Sequence, residues 1–252
     1  MRGGSTLRFY PINLNLKEKK VLIVGAGKVA FRKFKRLLQA KAQIKVVSPE
    51  FSPKFTPYFE QKSDQYIFIE RKFREDDLGG IFLVFAATND SQLNERIAFL
   101  SRNKNILANI SDAVDISDFT VPAAVNRGEL LLTVSSGSNL PALSQNIRKK
   151  IEQEFGVEYQ ILLEIMQKKR SLIIAEIDEI SVRKKIFKEL ASDQFLNKIR
   201  MIIDQFDLNL LNIEETDEFI NNKNNLTENK FKLLSDSIET EINKIIAKLK
   251  DD

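Results

Sequence analysis

The sequence predicts an α/β fold, a parallel sheet covered by helices, followed by a small region of extended segments and an α-helical C-terminal region. Three observations predict it. Short apolar runs alternate with helical patterns through the first 118 residues, and two extended segments joined by a short connection follow Asp118. From Ala142 to Asp252 the chain has no proline and a single glycine, Gly156. Alternating strand and helix signals imply parallel strands with crossover helices. The expected boundaries are 1–118, 119–150 and 151–252.

The strand-like runs are Leu22 to Val24, Ile44 to Val47, Tyr66 to Ile69, Ile81 to Ala86 and Ile106 to Ile110, with helical patterns near 28–40, 52–61 and 91–103. Beyond them, Phe119 to Val125, the turn Asn126-Arg127-Gly128-Glu129 and Leu130 to Val134 read as two extended segments. Two strands alone are marginal in water, so they are expected to join a sheet or to pair across a subunit interface. Pro141 suits the first turn of a helix, with Ser138 and Asn139 as capping candidates. The chain then reads as almost continuous helix. Ile161, Leu162, Ile165, Ile173 and Ile174, then Ile186, Leu190, Phe195, Ile199 and Ile202, recur at helical spacing and read as helix core. Asn221 to Asn229, rich in Asn and Lys, reads as a loop.

The stretch VLIVGAGKVA, Val21 to Ala30, carries the functional signal. An apolar run leads into Gly25, Gly27 and Ala30 in the spacing G-x-G-x-x-A, and Phe31, Phe34, Leu37 and Leu38 continue as a helical pattern. Gly25 permits a tight turn out of the strand, and Gly27 lets the backbone approach a pyrophosphate. Ala30 allows close packing of helix on strand, and the helix directs its N-terminal N–H groups at phosphate. Strand before and helix after are the context this motif requires, and they make the sheet Rossmann-like. The alternative is a pair of glycines that only serve a tight turn.

Composition narrows the chemistry. The 252 residues contain no cysteine and no histidine, and the formal net charge is +4. Disulfides, thiolate catalysis and imidazole bases are excluded, so an acid–base step falls to a carboxylate, Lys, Tyr or the substrate. No multi-ligand metal cluster is visible, and no zinc-finger or aromatic RNA-binding signature points to nucleic acid. No run of eighteen apolar residues occurs and Met1 to Leu14 lack a signal-peptide core, so the expectation is a soluble cytoplasmic protein without a membrane span.

Other candidates fall at the carboxyl ends of the predicted strands. Ala86, Ala87 and Thr88 are small enough to leave room for a ribose or nicotinamide, while Asn89 or Asp90 suits a helix cap. The next strand ends Asn109-Ile110-Ser111-Asp112, which puts Asp112 on the same edge, either in a turn-forming role or as a catalytic carboxylate. After the second strand, where an acid often holds the ribose hydroxyls, stand Ser48, Pro49 and Glu50, so the ribose contact is a backbone group or Glu50. Lys28, Arg32, Lys33, Arg127, Arg148 and Lys149 are candidates to meet an acidic substrate, or are simply solvated. Ser135 and Ser136 lack the setting of a serine hydrolase.

Together these pieces resemble the siroheme synthase N-terminal family, the precorrin-2 dehydrogenases that in some members also act as sirohydrochlorin ferrochelatases. The resemblance covers about residues 9–155. It rests on FYPINLNLKEKKVLIVGAGKVAFRK, on FAATND followed by Asn94, on NISDA, on DFTVPAAVNRGELLLTVSSG and on PALSQNIRKKIE. It implies a Rossmann domain, a dimerisation region beginning near Phe119 and a helical C-terminal region. It places phosphate-turn contacts on Lys28 and Val29, the second cofactor edge on Pro49 and Glu50, the essential aspartate on Asp112 and a tetrapyrrole-facing serine on Ser136. The chain departs from the family at Gly137-Ser138, where Gly-Gly is frequent, and at Gln145, where Arg is frequent. No methyltransferase domain follows, which suggests the short form.

The implied activity is NAD-dependent oxidation of precorrin-2 to sirohydrochlorin, with Asp112 as proton acceptor or macrocycle anchor and Arg127 and Arg148 meeting substrate carboxylates. One alternative is insertion of Fe2+ or Co2+, as substrate, into sirohydrochlorin. Another is a non-catalytic NAD-binding sensor whose helical tail signals to a partner. A homodimer is expected.

Overall fold

The computed structural model describes residues 9–61, 63–111, 113–137, 140–206 and 225–251, the last span by backbone alone at 225–230 and 251. The chain forms two compact units, Met1–Val121 and Pro122–Asp252.

In the first unit β1 (Lys20–Val24), β2 (Gln43–Ser48), β3 (Tyr66–Glu70), β4 (Leu83–Ala86) and β5 (Leu107–Ile110) form one sheet in the order β3-β2-β1-β4-β5. All pairs are parallel. Both faces are covered, so strand residues are apolar on both sides. Val21 and Ile23 join the core under α1 (Lys28–Gln39), with Phe34 and Leu37. Leu22 and Val24 join the opposite core, with Ile97 and Ala98 of α3 (Ser91–Asn103). Helix α1 forms because Ala30, Phe34 and Leu37 recur on one face.

The crossover from β2 to β3 carries a 3-10 turn, Pro53–Phe55, and a single helical turn, α2 (Thr56–Phe59), where the sequence suggested a longer helix. Aromatic packing explains the compactness. Phe34 meets Tyr58 at 5.1 Å and Tyr66 at 5.4 Å, both edge to face, a geometry that favours the ring quadrupoles. A second 3-10 turn, Glu75–Leu78, went unpredicted; its Asp77 is buried and bound by both terminal nitrogens of Arg71 at 2.7 and 2.8 Å.

In the second unit β6 (Ala123–Arg127) and β7 (Leu130–Val134) pair as an antiparallel hairpin around Gly128, whose φ is +64°. Helices α4 (Pro141–Glu154) and α5 (Val157–Glu176) both pack on the hairpin, within the unit that begins at Pro122. Pro141 does lie in the first turn of α4, while Ser138 and Asn139 lie outside the described residues. The predicted continuous helix is divided into α4, α5, α6 (Ile180–Leu190), α7 (Asp193–Gln205) and α8 (Asn225–Asp251). Ile161, Ile165, Ile186, Ile199, Leu234, Ile238 and Ile242 form the shared core of α5 to α8. Helix α8 begins at Asn225, inside the stretch expected to be loop. The apolar stripe from Leu234 onward drives this helix, and burial outweighs the weak helix propensity of the Asn-rich start. No helix among the described residues is long and apolar enough to cross a membrane.

Candidate nucleotide and substrate site

The register aligns the carboxyl ends of four strands. Val24 is paired with Val47 and with Ala86, and Ala86 with Ile110, so Ser48, Gly25, Ala87 and Ser111 emerge along one edge. Strand order reverses at β1, which places the crevice between β1 and β4 at the topological switch point where open α/β sheets bind ligands. Three backbone bonds extend the ladder past the strands: Gly25 N–H to Val47 O at 2.9 Å, Ala87 N–H to Val24 O at 2.8 Å and Ser111 N–H to Ala86 O at 2.8 Å.

The two glycines differ in what they face. Gly25 has φ +99°, and a Cβ there would stand 2.4 Å from the Ala87 carbonyl oxygen; at Gly27 a Cβ would meet nothing within 4 Å. Gly25 is therefore required by the turn itself, whereas Gly27 opens the approach to α1. Gly27 is the N-cap, no side chain caps the helix and the first turn holds no acid. Lys28 and Val29 are exposed there. Uncapped N–H groups with the positive end of the helix dipole suit an anion, and a dinucleotide pyrophosphate fits this cradle.

On the β2 side Ser48 is buried and its hydroxyl donates to the Glu50 carbonyl at 2.6 Å, while Pro49 and Glu50 are exposed. The Ser48 proton is therefore committed to the turn, which leaves the Glu50 side chain as the polar group facing solvent. On the β4 side Ala87 and Thr88 form a small shelf. Thr88 Oγ1 donates to Asn94 Oδ1 at 2.7 Å, Asn94 Nδ2 donates to Thr88 O at 3.1 Å and Asp90 caps α3 through Leu93 N–H at 3.0 Å. Of Asn89 and Asp90, the cap is Asp90.

Asp112 lies outside the described residues, but the segment on either side of it is fixed. After a 3-10 turn, Val114–Ile116, the chain returns along the outer edge of β5. Ser117 Oγ accepts Ile110 N–H at 2.9 Å, Asp118 Oδ2 accepts Ala108 N–H at 2.9 Å and Asp118 N–H donates to Ala108 O at 2.9 Å. Asn109, a buried amide in an apolar strand, accepts from Lys33 Nζ at 2.7 Å and donates to Phe119 O at 2.9 Å. Neither Asn109 nor Asn94 stands out in the local sequence for such a role. A polar residue at an otherwise buried strand position was the available signal for Asn109.

The remaining expected residues belong to the second unit. Ser136 Oγ donates to Leu140 O at 3.0 Å across the loop before α4. Arg148 pairs with Glu152 at 2.8 Å on α4. Arg127 corrects the expectation of a substrate contact: it is 5% exposed, and its guanidinium donates to Phe155 O at 2.7 Å, Glu152 O at 3.0 Å and Asn126 O at 3.0 Å. Its donors close the end of α4, where helix carbonyls lack partners. Arg200 of α7 grips the same elbow through Glu158, which is buried, with Nε 2.7 Å from Oε1. A cavity of about 570 Å³ lies beside this pair, and another of about 240 Å³ lies at the amino edge of the sheet near Lys20, Lys45 and Tyr66; no expected site residue lines either. Among the described residues no three carboxylates gather to hold a metal.

Fold and glycine turn define a dinucleotide-binding protein of the Rossmann type. A family model described as "Putative NAD(P)-binding" matches residues 12–123, which points to a nicotinamide cofactor. The siroheme synthase of Vesicomyosocius okutanii is 30% identical over 193 residues, which is 77% of this chain and 41% of that protein. The siroheme synthase of Nitrosomonas eutropha is 38% identical over 151 residues, 60% of this chain and 32% of that protein. A solved structure, "SirC, precorrin-2 dehydrogenase", superposes with a TM-score of 0.63 and 27% identity over 75% of this chain and 92% of that one. The chain is similar over most of its length to these siroheme synthases and to that precorrin-2 dehydrogenase, and it spans about two fifths of the length of the first curated relatives it matches.

Proposed function

We propose that the chain oxidises precorrin-2 to sirohydrochlorin with NAD as the hydride acceptor. The observation that carries this reading is the open approach at Gly27 to an uncapped helix, in a chain whose likeness to SirC spans 92% of that protein. When bound, the nicotinamide takes the hydride. The chain's own residues bind and orient. N–H groups at Lys28 and Val29 meet the pyrophosphate, and the shelf of Ala87 and Thr88, locked by Asn94, leaves space beside β4. Glu50 accepts hydrogen bonds from the ribose hydroxyls, which favours NAD over NADP, because a carboxylate repels a 2′-phosphate.

Oxidation removes one hydride and one proton from the macrocycle. Asp112 accepts the proton, since a chain without His or Cys leaves a carboxylate as the natural base. Ser136 and Arg148 meet the acidic periphery of the tetrapyrrole. Residues 119–150 form the contact of a homodimer.

The test is anaerobic incubation with precorrin-2 and NAD, following NADH and sirohydrochlorin together. Coupled appearance of both is expected, with Asp112→Asn slowed about 100-fold or more and NADP a poorer acceptor. NAD binding without turnover would overturn the dehydrogenase in favour of a sensor. Fe2+ or Co2+ added to the sirohydrochlorin then tests metal insertion, and sedimentation tests the dimer.

A further inference from the structure

We propose that Lys33 is a positioning residue of the dehydrogenation, coupling the nucleotide helix α1 to the loop after β5 through Asn109. The inference rests on the dehydrogenase reading and goes beyond it, because it assigns a role to a residue that the reading itself leaves without one.

Lys33 stands in the second turn of α1, five residues after the helix begins at Lys28. At 1.5 Å per residue this is roughly 7.5 Å along the axis from the phosphate cradle. A lysine on such a helix ordinarily keeps its ammonium in water. Here Nζ lies 2.7 Å from Asn109 Oδ1 and 4.4 Å from the centroid of the Phe85 ring. Two elements of the sheet therefore receive the ammonium: β5 through the amide, and β4 through the ring face, which attracts a cation.

The amide carries the contact onward. With Oδ1 accepting from Lys33, Nδ2 points the other way and donates to Phe119 O. Phe119 also meets Phe85 edge to face at 5.6 Å, so the ring beneath the ammonium supports the same returning segment. That segment closes the loop that leaves β5 at Ser111, and the loop's other end is tied by Ser111 N–H to the carbonyl of Ala86. The path from cradle to loop thus runs through one rigid helix, one ammonium, one amide and one backbone carbonyl. Packing alone does not call for this cation, since an apolar side chain of the same length would cover Phe85 equally well. What the ammonium adds is a directed, charge-assisted bond that fixes the orientation of the Asn109 amide.

Catalysis by orientation is sensitive to small displacements: a shift of about 1 Å away from the chemistry can cost on the order of 100-fold. Lys33→Met keeps the length of the stem and removes both charge and donor. With the full chain, anaerobic turnover of precorrin-2 and NAD is measured beside NADH affinity and thermal stability. Lys33→Met is expected to lower kcat about 10- to 100-fold, with NADH affinity within about twofold and the unfolding midpoint little changed. Lys33→Arg, which can still donate to Asn109, is expected to recover part of the rate. Asn109→Ala is expected to give a similar loss, and the double variant to be no slower than the worse single one, because both break one path. An unaltered kcat in Lys33→Met, single losses that multiply in the double variant, or a loss that follows NADH affinity or the unfolding midpoint would each overturn the inference. An inactive wild-type chain overturns the dehydrogenase reading and this inference with it. An active wild type with an indifferent Lys33 overturns the inference alone.

Discussion

Gly25 and Ala87 touch through backbone alone: the space a Cβ on Gly25 would occupy lies 2.4 Å from the Ala87 carbonyl oxygen, closer than any real side chain approaches. The nucleotide turn is thus built on a direct contact between the ends of β1 and β4. Gly27, two residues on, faces open space.

The two glycines are expected to fail differently. Gly25→Ala combines the clash with a strained φ of +99° and is expected to destabilise the fold by about 2–4 kcal/mol. Gly27→Ala has φ −80° and no clash, so its unfolding midpoint is expected to match wild type while NADH affinity falls about tenfold or more, equivalent to about 1.4 kcal/mol. Thermal unfolding and NADH fluorescence titration on both variants check this.

Arg127 is expected to behave as a structural residue. Truncation to Ala would leave the Glu152 and Phe155 carbonyls without the guanidinium and is expected to cost about 2–4 kcal/mol. Denaturant unfolding measures the loss. A variant that unfolds like wild type but shows a raised KM would return Arg127 to the substrate site.

Asp77 makes stability depend on pH. Its burial alone would raise the carboxyl pKa, but the Arg71 hydrogen bonds and the Arg74 N–H outweigh that and hold it below the ordinary carboxylate value. A pKa lowered by folding contributes stability that is present above the unfolded value, near 4, and is lost as pH falls through the folded one. Asp77→Asn is therefore expected to melt below wild type at pH 6–7, with the gap narrowing as pH drops below about 4. Parallel melting curves across that range check the sign.

Much of the first unit was legible because its signals are local. The turn at Val21–Ala30 and the apolar run of each strand state their own structure, and β1 and β4 emerge close to where their residues suggest. What escaped depends on partners distant in sequence. Nothing local at Arg127 says that its donors will meet carbonyls 25 and 28 residues ahead, so a basic residue beside a turn read as a candidate for an anionic ligand. Lys33 and Asn109 are 76 residues apart, and the sheet order β1-β4-β5 brings them together. The start of α8 was missed for the same reason, since burial of Leu234 and Ile238 against other helices extends a helix through residues that disfavour it.

The return of Ser117 and Asp118 along β5 also determines what the sheet can do with other chains. A terminal strand normally leaves a row of N–H and C=O groups that can template a further strand. Here the outward N–H groups of Ala108 and Ile110 are taken by side-chain oxygens of the same chain, and the Ala108 carbonyl by the Asp118 N–H. A second polypeptide cannot zip onto that side without first displacing the loop that follows β5. Sheet-to-sheet polymerisation through β5 is thereby tied to dismantling the segment that returns along it, so conditions that preserve that segment also guard the protein against aggregation from this edge.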